Sequence, residues 1–174
     1  MSVRGVLQVH SAPPALCSHV EWAVAGVIGV PVSLPWVNQA AEPGMMRAEL
    51  NWQGSPGASA AITSALAGWS LLRFEVPAEA SSGCDAVRYS YTPDLGVFSA
   101  VTMANGDSLS PESRLRAAMA IAAATPVMAG SLPDRVDSLE DEIARLLGQP
   151  WDDELEPFRC AGDGAPVRWL HATG

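Results

Sequence analysis

The stretch that decides the fold is VRGVLQVHSAPPALCSHVEWAVAGVIG, residues 3–29. Residues 3–10 predict a strand, and the segment Ser11-Ala-Pro-Pro that follows is typical of a chain reversal that opens a helix. From residue 15 to residue 28 the apolar residues recur at helical spacing, and Gly29 is suited to ending the helix. The chain is therefore expected to begin with a strand followed at once by a helix.

The next segments repeat this alternation. Residues 30–36 and 46–53 predict two strands, residues 58–69 predict a helix, and residues 71–76 predict another strand. The order strand, helix, strand, strand, helix, strand favours a ferredoxin-like split β-α-β sandwich, because connections are short and crossovers are right-handed. The predicted fold class is therefore α+β, with residues 1–76 as its core.

The rest of the chain predicts additions to that core. Residues 86–103 predict a β-hairpin, because two strand-like runs flank Pro93-Asp94-Leu95. Residues 110–174 predict a helical C-terminal extension, with helices at 110–124 and 132–147, a short acidic helix after Trp151 and an extended tail around 167–170. Because 174 residues with 48% hydrophobic content suffice for one core, residues 1–174 are expected to form a single domain.

Charge and composition exclude several classes of function. The chain has 19 acidic and 10 basic residues, a net charge of −9, so it repels nucleic acid and anionic membrane surfaces. Every basic residue is Arg, and the absence of Lys excludes Schiff-base chemistry and the P-loop lysine. The chain has no secretion signal, no apolar run of about 20 residues that could span a membrane, and only scattered cysteines, which together predict a cytoplasmic protein.

His10, Cys17 and His19 are weak catalytic candidates, because a strand end and the start of the next helix commonly bring side chains together. They could form a thiolate-imidazole pair or part of a metal site. The alternative is that Cys17 packs and His19 caps the helix or faces water. His19 and Glu21 diverge on a helix, the three cysteines lack CxxC spacing, and no GxSxG, HExxH or GxGxxG motif occurs. No metal or cofactor is therefore expected.

Strand alternation predicts a band of mixed charge on the sheet face that points away from the helices. We call this set the polar band; its members are Gln8, His10, Arg47, Glu49, Arg73, Glu75, Arg88 and Ser90. One interpretation is a solvated face, or one partly roofed by the C-terminal helices, where Arg-Glu pairs add modest stability. The other is a recognition surface on which Arg47, Arg73 and Arg88 bind a carboxylate, a phosphate or an acidic protein.

Five of the six tryptophans fall into two groups, and Trp22 belongs to neither. Trp52 and Trp69 belong to apolar stripes and are predicted to be core. Trp36, Trp151 and Trp169 lie in segments flanked by proline or acidic residues, where they could anchor a partner.

Four stretches together point to a family: residues 4–29, residues 48–54 (AELNWQG), residues 88–100 (RYSYTPDLGVFSA) and residues 151–171 (WDDELEPFRCAGDGAPVRWLH). They resemble the actinobacterial domain of unknown function 3145, over nearly the whole chain. The resemblance brings no established activity and no catalytic residues. Some members are encoded beside genes of type II fatty-acid synthesis, so the resemblance implies an accessory role in fatty-acid metabolism.

These observations favour a non-catalytic interaction or regulatory module that binds another protein or a small anionic ligand. The polar band and the tryptophan-bearing C-terminal segment are its predicted contact surfaces. The alternative is a small enzyme that uses His10, Cys17 and His19. A third possibility is a homodimer formed by self-pairing of the exposed hairpin edge.

Overall fold

The computed structural model describes residues 2–103, 105, 107–124 and 132–159, with the backbone alone for residues 132–137. Its strands are β1 (Val3–Ala12), β2 (Val37–Asn38), β3 (Met46–Gly54), β4 (Arg73–Glu75), β5 (Ala86–Thr92), β6 (Gly96–Thr102) and β7 (Ser108–Leu109). Its α-helices are α1 (Cys17–Ile28), α2 (Ala58–Leu66), α3 (Glu112–Ala124), α4 (Leu132–Leu147) and α5 (Gln149–Arg159), and a single 3-10 turn, Pro14–Leu16, precedes α1.

The strands form one antiparallel sheet in the order β2-β3-β1-β4-β5-β6-β7. Strand β1 lies in the interior of the sheet, where Leu7 is opposite Leu50 of β3 and Val9 is opposite Phe74 of β4. The predicted hairpin corresponds to β5 and β6, which pair from Ala86 and Thr102 to Thr92 and Gly96. The protein is therefore a mixed α/β structure, as its sequence predicts.

The strand predicted over residues 30–36 is wrong. Residues 31–36 form neither helix nor strand, and β2 is limited to the next two residues. Pro31 and Pro35 have no N–H to donate to a neighbouring strand. The N–H of Leu34 instead donates to the carboxylate of Glu21 on α1 at 2.8 Å, so the helix holds this segment.

Helices α1 and α2 pack on one face of the sheet and enclose the main core. Its buried residues include Leu7, Val9, Val20, Val24, Trp52, Ile62, Leu66 and Phe74. Each large apolar side chain that is fully buried there stabilises the fold by about 1.5–3 kcal/mol. Trp52 is thus core, as predicted, while Trp69 is half-buried and packs against the same cluster.

Gly5 is required where β1 crosses the ring of Trp52. A Cβ atom at this position would overlap both the indole ring and the carbonyl oxygen of Pro77. The missing side chain therefore lets Trp52 lie flat against the strand.

Helix α5 lies on the opposite face, where Trp151 fixes it to the hairpin. The Trp151 ring packs on Phe98 with centroids 5.1 Å apart, and its Nε1 donates to the carbonyl oxygen of Gly96 at 2.9 Å. Gly148 joins α4 to α5 with φ +82°, and a Cβ there would lie only 2.6 Å from the Phe98 ring. Glycine at this position allows α5 to start directly over β6.

Within the described residues, none of the helices has the length and apolar character needed to cross a membrane.

Candidate functional site

Helix α5 covers the part of the polar band that β4 and β5 provide, and the described residues leave Glu49 of β3 exposed. His10, Glu75 and Ser90 are buried, and the side chain of Arg88 is 11% exposed. On the β3 side of β1, Glu49 is exposed. The polar band therefore consists of an ion cluster that α5 covers and an adjoining part that includes the exposed Glu49.

Glu75 of β4 is the centre of the ion cluster, which comprises His10, Glu75, Arg88, Asp152 and Arg159. The Glu75 side chain is 3% exposed and lies 2.8 Å from Nε2 of His10. Arg159 of α5 donates to both carboxylate oxygens, at 2.9 and 2.6 Å. Each oxygen of this buried carboxylate thus accepts from a charged or ionisable group.

Two opposing effects set the pKa of Glu75. Burial alone would raise it, but the hydrogen bond and charge of His10, followed by those of Arg159, hold the pKa well below its usual range. For Arg159, burial acts to lower the pKa, whereas Glu75 and Asp152 raise it above the ordinary value. The cluster therefore keeps Glu75 and Arg159 ionised beneath α5.

Arg88 joins the ion cluster from β5. Its guanidinium is 3.6 Å from Glu75, also pairs with Asp152 of α5, and lies over the Phe98 ring at 5.7 Å. Both carboxylates belong to this chain. An external anion at Arg88 would have to compete with them.

Arg73 of β4 has a similar internal environment. It pairs with Glu42 at 3.3 Å and with Glu154 of α5 at 3.2 Å, and its guanidinium lies 4.7 Å from the centre of the Phe158 ring. Two acidic residues of α5, Asp152 and Glu154, thus pair with the arginines of the sheet. The binding of an external acid by Arg73 stays a prediction.

A polar cleft of about 170 Å³ lies beside the ion cluster, on the part of the sheet nearest β2. It is lined by Gln8, His10, Pro35, Val37, Arg47 and Glu49, among others. Three of the predicted binding residues, His10, Arg47 and Glu49, therefore meet at one cleft.

His10 connects the cleft to the ion cluster. Its side chain is 5% exposed, and Nε2 is the ring atom that faces Glu75. His10 also lines the cleft. The cleft and the ion cluster therefore share this residue.

Gln39, a residue that sequence reasoning did not select, fixes the backbone around His10. Its side-chain amide donates to the carbonyl oxygens of His10 at 2.6 Å and Phe158 at 3.3 Å, and its Oε1 accepts from the N–H of Ala41 at 2.9 Å. It thereby ties β1, the segment after β2 and α5 together. A glutamine in a turn-rich segment carries no sequence signal for such a role.

The thiolate-imidazole site predicted from His10, Cys17 and His19 is not assembled. His10 is directed at Glu75, whereas the ring of His19 lies beside Trp22 and Trp69, with centroids 5.8 and 6.4 Å away. Burial, and then the charge of Glu21, raise the pKa of the Cys17 thiol. The described residues also contain no group of three or more His, Cys, Asp or Glu side chains that could hold a metal ion.

The predicted tryptophan anchors have internal partners where they are described. Trp36 is partly buried and donates to Glu21 at 3.1 Å, and Trp151 donates to Gly96 beneath α5. Trp169 and the predicted strand-like tail lie outside the described residues. Among the tryptophans that the structure describes, Trp22 of α1 is the most exposed, at 74%, and the sequence did not single it out.

The fold and this site define a mixed α/β protein in which one face of an antiparallel sheet carries a polar cleft and an ion cluster covered by α5. The chain belongs to the family described as protein of unknown function DUF3145, whose sequence profile matches residues 6–172. No curated protein and no solved structure is significantly similar to it. The family predicted from the four sequence stretches is thus confirmed, and it assigns no activity.

Proposed function

We propose that the protein is a non-catalytic binding module with a regulatory or adaptor role, and that the polar cleft receives its ligand or partner. We further propose that residues 1–76 form a ferredoxin-like core. The strand order β2-β3-β1-β4 and the position of α1 and α2 on one face support that assignment. In this arrangement β5 to β7 extend the sheet beyond the core.

The observation that carries the proposal is the way in which His10 is held. Nε2 of its ring lies 2.8 Å from the buried Glu75 carboxylate, and the residue lines a cleft that also contains Arg47 and Glu49. Because the ring is already fixed, a ligand that contacts it costs no further side-chain freedom there. Preorganisation of this kind favours binding.

The composition of the cleft supports binding over covalent catalysis. No Ser, Thr, Cys or Lys is among the described residues that line it. The thiol of Cys17 has a raised pKa, so it is protonated at neutral pH. A nucleophile next to His10 would be needed for the predicted His/Cys enzyme.

Acid-base catalysis at His10 alone is the second candidate function. The contact between Glu75 and Nε2 of His10 at 2.8 Å resembles the carboxylate-imidazole pairs that orient a general base. In this case Nδ1 would exchange a proton with a substrate in the cleft. Replacement by His10→Gln would then abolish turnover without abolishing substrate binding.

Several finer expectations stay predictions. They are a single domain over residues 1–174, a cytoplasmic location, a homodimer through the hairpin edge, and the accessory role in fatty-acid metabolism that the family resemblance implies. Arg73, Arg88, Trp36 and Trp151 stay predicted partner contacts, although each has an internal partner.

Two exposed valines provide a matched test of the cleft. Val37 lines the cleft and is 51% exposed, whereas Val97 lies on β6 and is 48% exposed. Immobilised wild type, Val37→Arg and Val97→Arg would each be incubated with native lysate, and the retained proteins and metabolites identified by mass spectrometry. The expected result is a specific component that wild type and Val97→Arg retain and that folded Val37→Arg loses. Retention that is equal in all three proteins would contradict the proposal.

A further inference from the structure

We propose that three aromatic rings on the outside of α1 and α2 dock a basic segment of another protein, with an arginine guanidinium stacked on the ring of Trp22. We call this set the aromatic patch; its members are His19 and Trp22 of α1, and Trp69, which follows α2. The inference goes beyond the proposed function, because α1 and α2 cover the apolar face of the sheet and the polar cleft lies on the other face.

The aromatic patch is assembled before any partner binds. Trp22 follows His19 by three residues on α1, a spacing that places both on one face of the helix, and their ring centroids are 5.8 Å apart. His19 also meets the ring of Trp69 edge-on, with centroids 6.4 Å apart and an interplanar angle of 79°. Its Nδ1 donates to the carbonyl oxygen of Ala15 at 3.2 Å, since a carbonyl oxygen only accepts. The central ring of the patch is therefore fixed by the backbone.

The outer part of the patch is open to solvent. Trp69 is half-buried and packs against the main core, whereas Trp22 is 74% exposed. Leu71, two residues after Trp69, is also an exposed apolar side chain. Tryptophan dominates many protein interfaces, because its rigid ring buries a large area at a small cost in side-chain freedom. Most of the Trp22 ring is thus available to a partner.

The helices that carry the patch contain no positively charged Arg or Lys. Glu21 is the only Asp, Glu, Lys or Arg of α1, and α2 has none. Between residues 5 and 72 the only basic residue of this kind is Arg47, which lines the polar cleft on the other face of the sheet. The net charge of −9 attracts a basic partner over a distance. Charge therefore favours a cationic group at the rings.

Arginine is the cation that suits an exposed indole. The face of an aromatic ring attracts a cation, and tryptophan does so most strongly. The guanidinium is planar and more weakly hydrated than the ammonium of lysine, so it stacks on a ring at a smaller cost in lost hydration. Inside this protein Arg73 and Arg88 already lie over the rings of Phe158 and Phe98, at 4.7 and 5.7 Å from the ring centres.

The shape of the site favours a protein segment over a small molecule. Sites for small molecules are concave and bury roughly 70–90% of the ligand surface. A ring that is 74% exposed on the outer side of a helix does not enclose a ligand in this way. A peptide segment gains its contact area by extending across the helix, with one arginine on Trp22 as its anchor.

The test is calorimetric titration of the full chain with an unstructured peptide in which Arg alternates with Gly and Ser. A second peptide carries citrulline in place of each Arg, which keeps the shape of the side chain and removes its charge. We expect the Arg peptide to bind at least fivefold more tightly than the citrulline peptide. Trp22→Ala should weaken binding of the Arg peptide about tenfold, while Val97→Ala, at an exposed position of β6, should leave it unchanged.

Trp22→Ala leaves the net charge unchanged, so it retains any general attraction between the acidic protein and the peptide. Three results would each overturn the inference: the Arg peptide does not bind to the folded wild type, the citrulline peptide binds equally tightly, or folded Trp22→Ala binds like wild type. The inference is also wrong if the Trp22 indole N–H resonance, assigned by its loss in Trp22→Ala, is shielded from a soluble paramagnetic probe in the free protein. Another part of this chain would then cover the ring.

Discussion

The two faces of the sheet are held to their helices by different forces. On one face, α1 and α2 cover an apolar surface that includes Leu7 and Phe74. On the other face, α5 covers Glu75 and Arg88 with charged hydrogen bonds and adds two buried apolar side chains, Trp151 and Leu155. Apolar burial is non-directional and tolerates small shifts, whereas each member of the ion cluster depends on the position of its partners.

This difference indicates a division of roles. The apolar face supplies most of the stability, because its side chains bury area without leaving unpaired charges. The charged face adds less net stability, since burying ions offsets much of their attraction. What it provides is a fixed direction for the His10 ring at the edge of the cleft.

The largest effect is expected from opening the apolar face. Phe74 is fully buried and stacks on Tyr91 with centroids 5.1 Å apart. Phe74→Ala should lower the free energy of unfolding by about 3–5 kcal/mol, because it creates a cavity in the core. Urea denaturation measures this loss. Val97→Ala, at an exposed position of β6, is the control and should stay within about 0.5 kcal/mol of wild type.

Removing one partner from the ion cluster should cost somewhat less. Arg159→Met keeps the apolar stem but removes the guanidinium that donates to both oxygens of the buried Glu75 carboxylate. We expect a loss of about 3 kcal/mol in unfolding free energy, as for other broken buried pairs. Arg116→Met removes an exposed pair with Glu112, and no measurable loss is expected there. Equal losses for the two variants would contradict the distinction between the covered and the exposed pairs.

The ion cluster also predicts a dependence of stability on pH. Because the folded protein holds the pKa of Glu75 below its ordinary value of 4.5, the contribution of this group is complete above the unfolded-state pKa. It is lost as the pH falls through the folded-state pKa, at about 1.4 kcal/mol per pH unit. Denaturation at pH 7 and pH 3.5 should therefore show a larger loss for wild type than for Glu75→Gln. Parallel losses would mean that Glu75 titrates normally.

The smallest effect is expected at the surface of α1. Trp22 is 74% exposed and touches only the ring of His19 among the described aromatic contacts. Trp22→Ala should change the unfolding free energy by no more than about 0.5 kcal/mol. A loss above 1 kcal/mol would show that this ring contributes to the core.

Alternation along single strands predicts the composition of each sheet face well. It placed His10, Glu75 and Arg88 on one face and Trp52 in an apolar stripe, because side-chain direction in a strand follows from residue parity. This information is local. It needs no knowledge of how distant parts of the chain meet.

The docking of α5 could not be predicted in the same way. Arg159 and Glu75 are 84 residues apart in sequence, and a pair of this kind depends on where a whole helix packs. Sequence proximity also misled the prediction for His10 and Cys17, because α1 packs on the apolar face while His10 belongs to the charged one. The overpredicted strand at residues 30–36 has a simpler cause, since two prolines deprive it of hydrogen-bond donors.

The central claim is that the polar cleft, at the edge where Glu75 holds Nε2 of His10, receives the ligand or partner. Long-range nitrogen-proton NMR of the imidazole rings tests it most directly, recorded while the lysate component that wild type retains and Val37→Arg loses is added. We expect the ring resonances assigned to His10 by their loss in His10→Gln to shift in proportion to occupancy, while those of His19 stay unchanged. Saturation of the protein with no change at His10 would contradict the account.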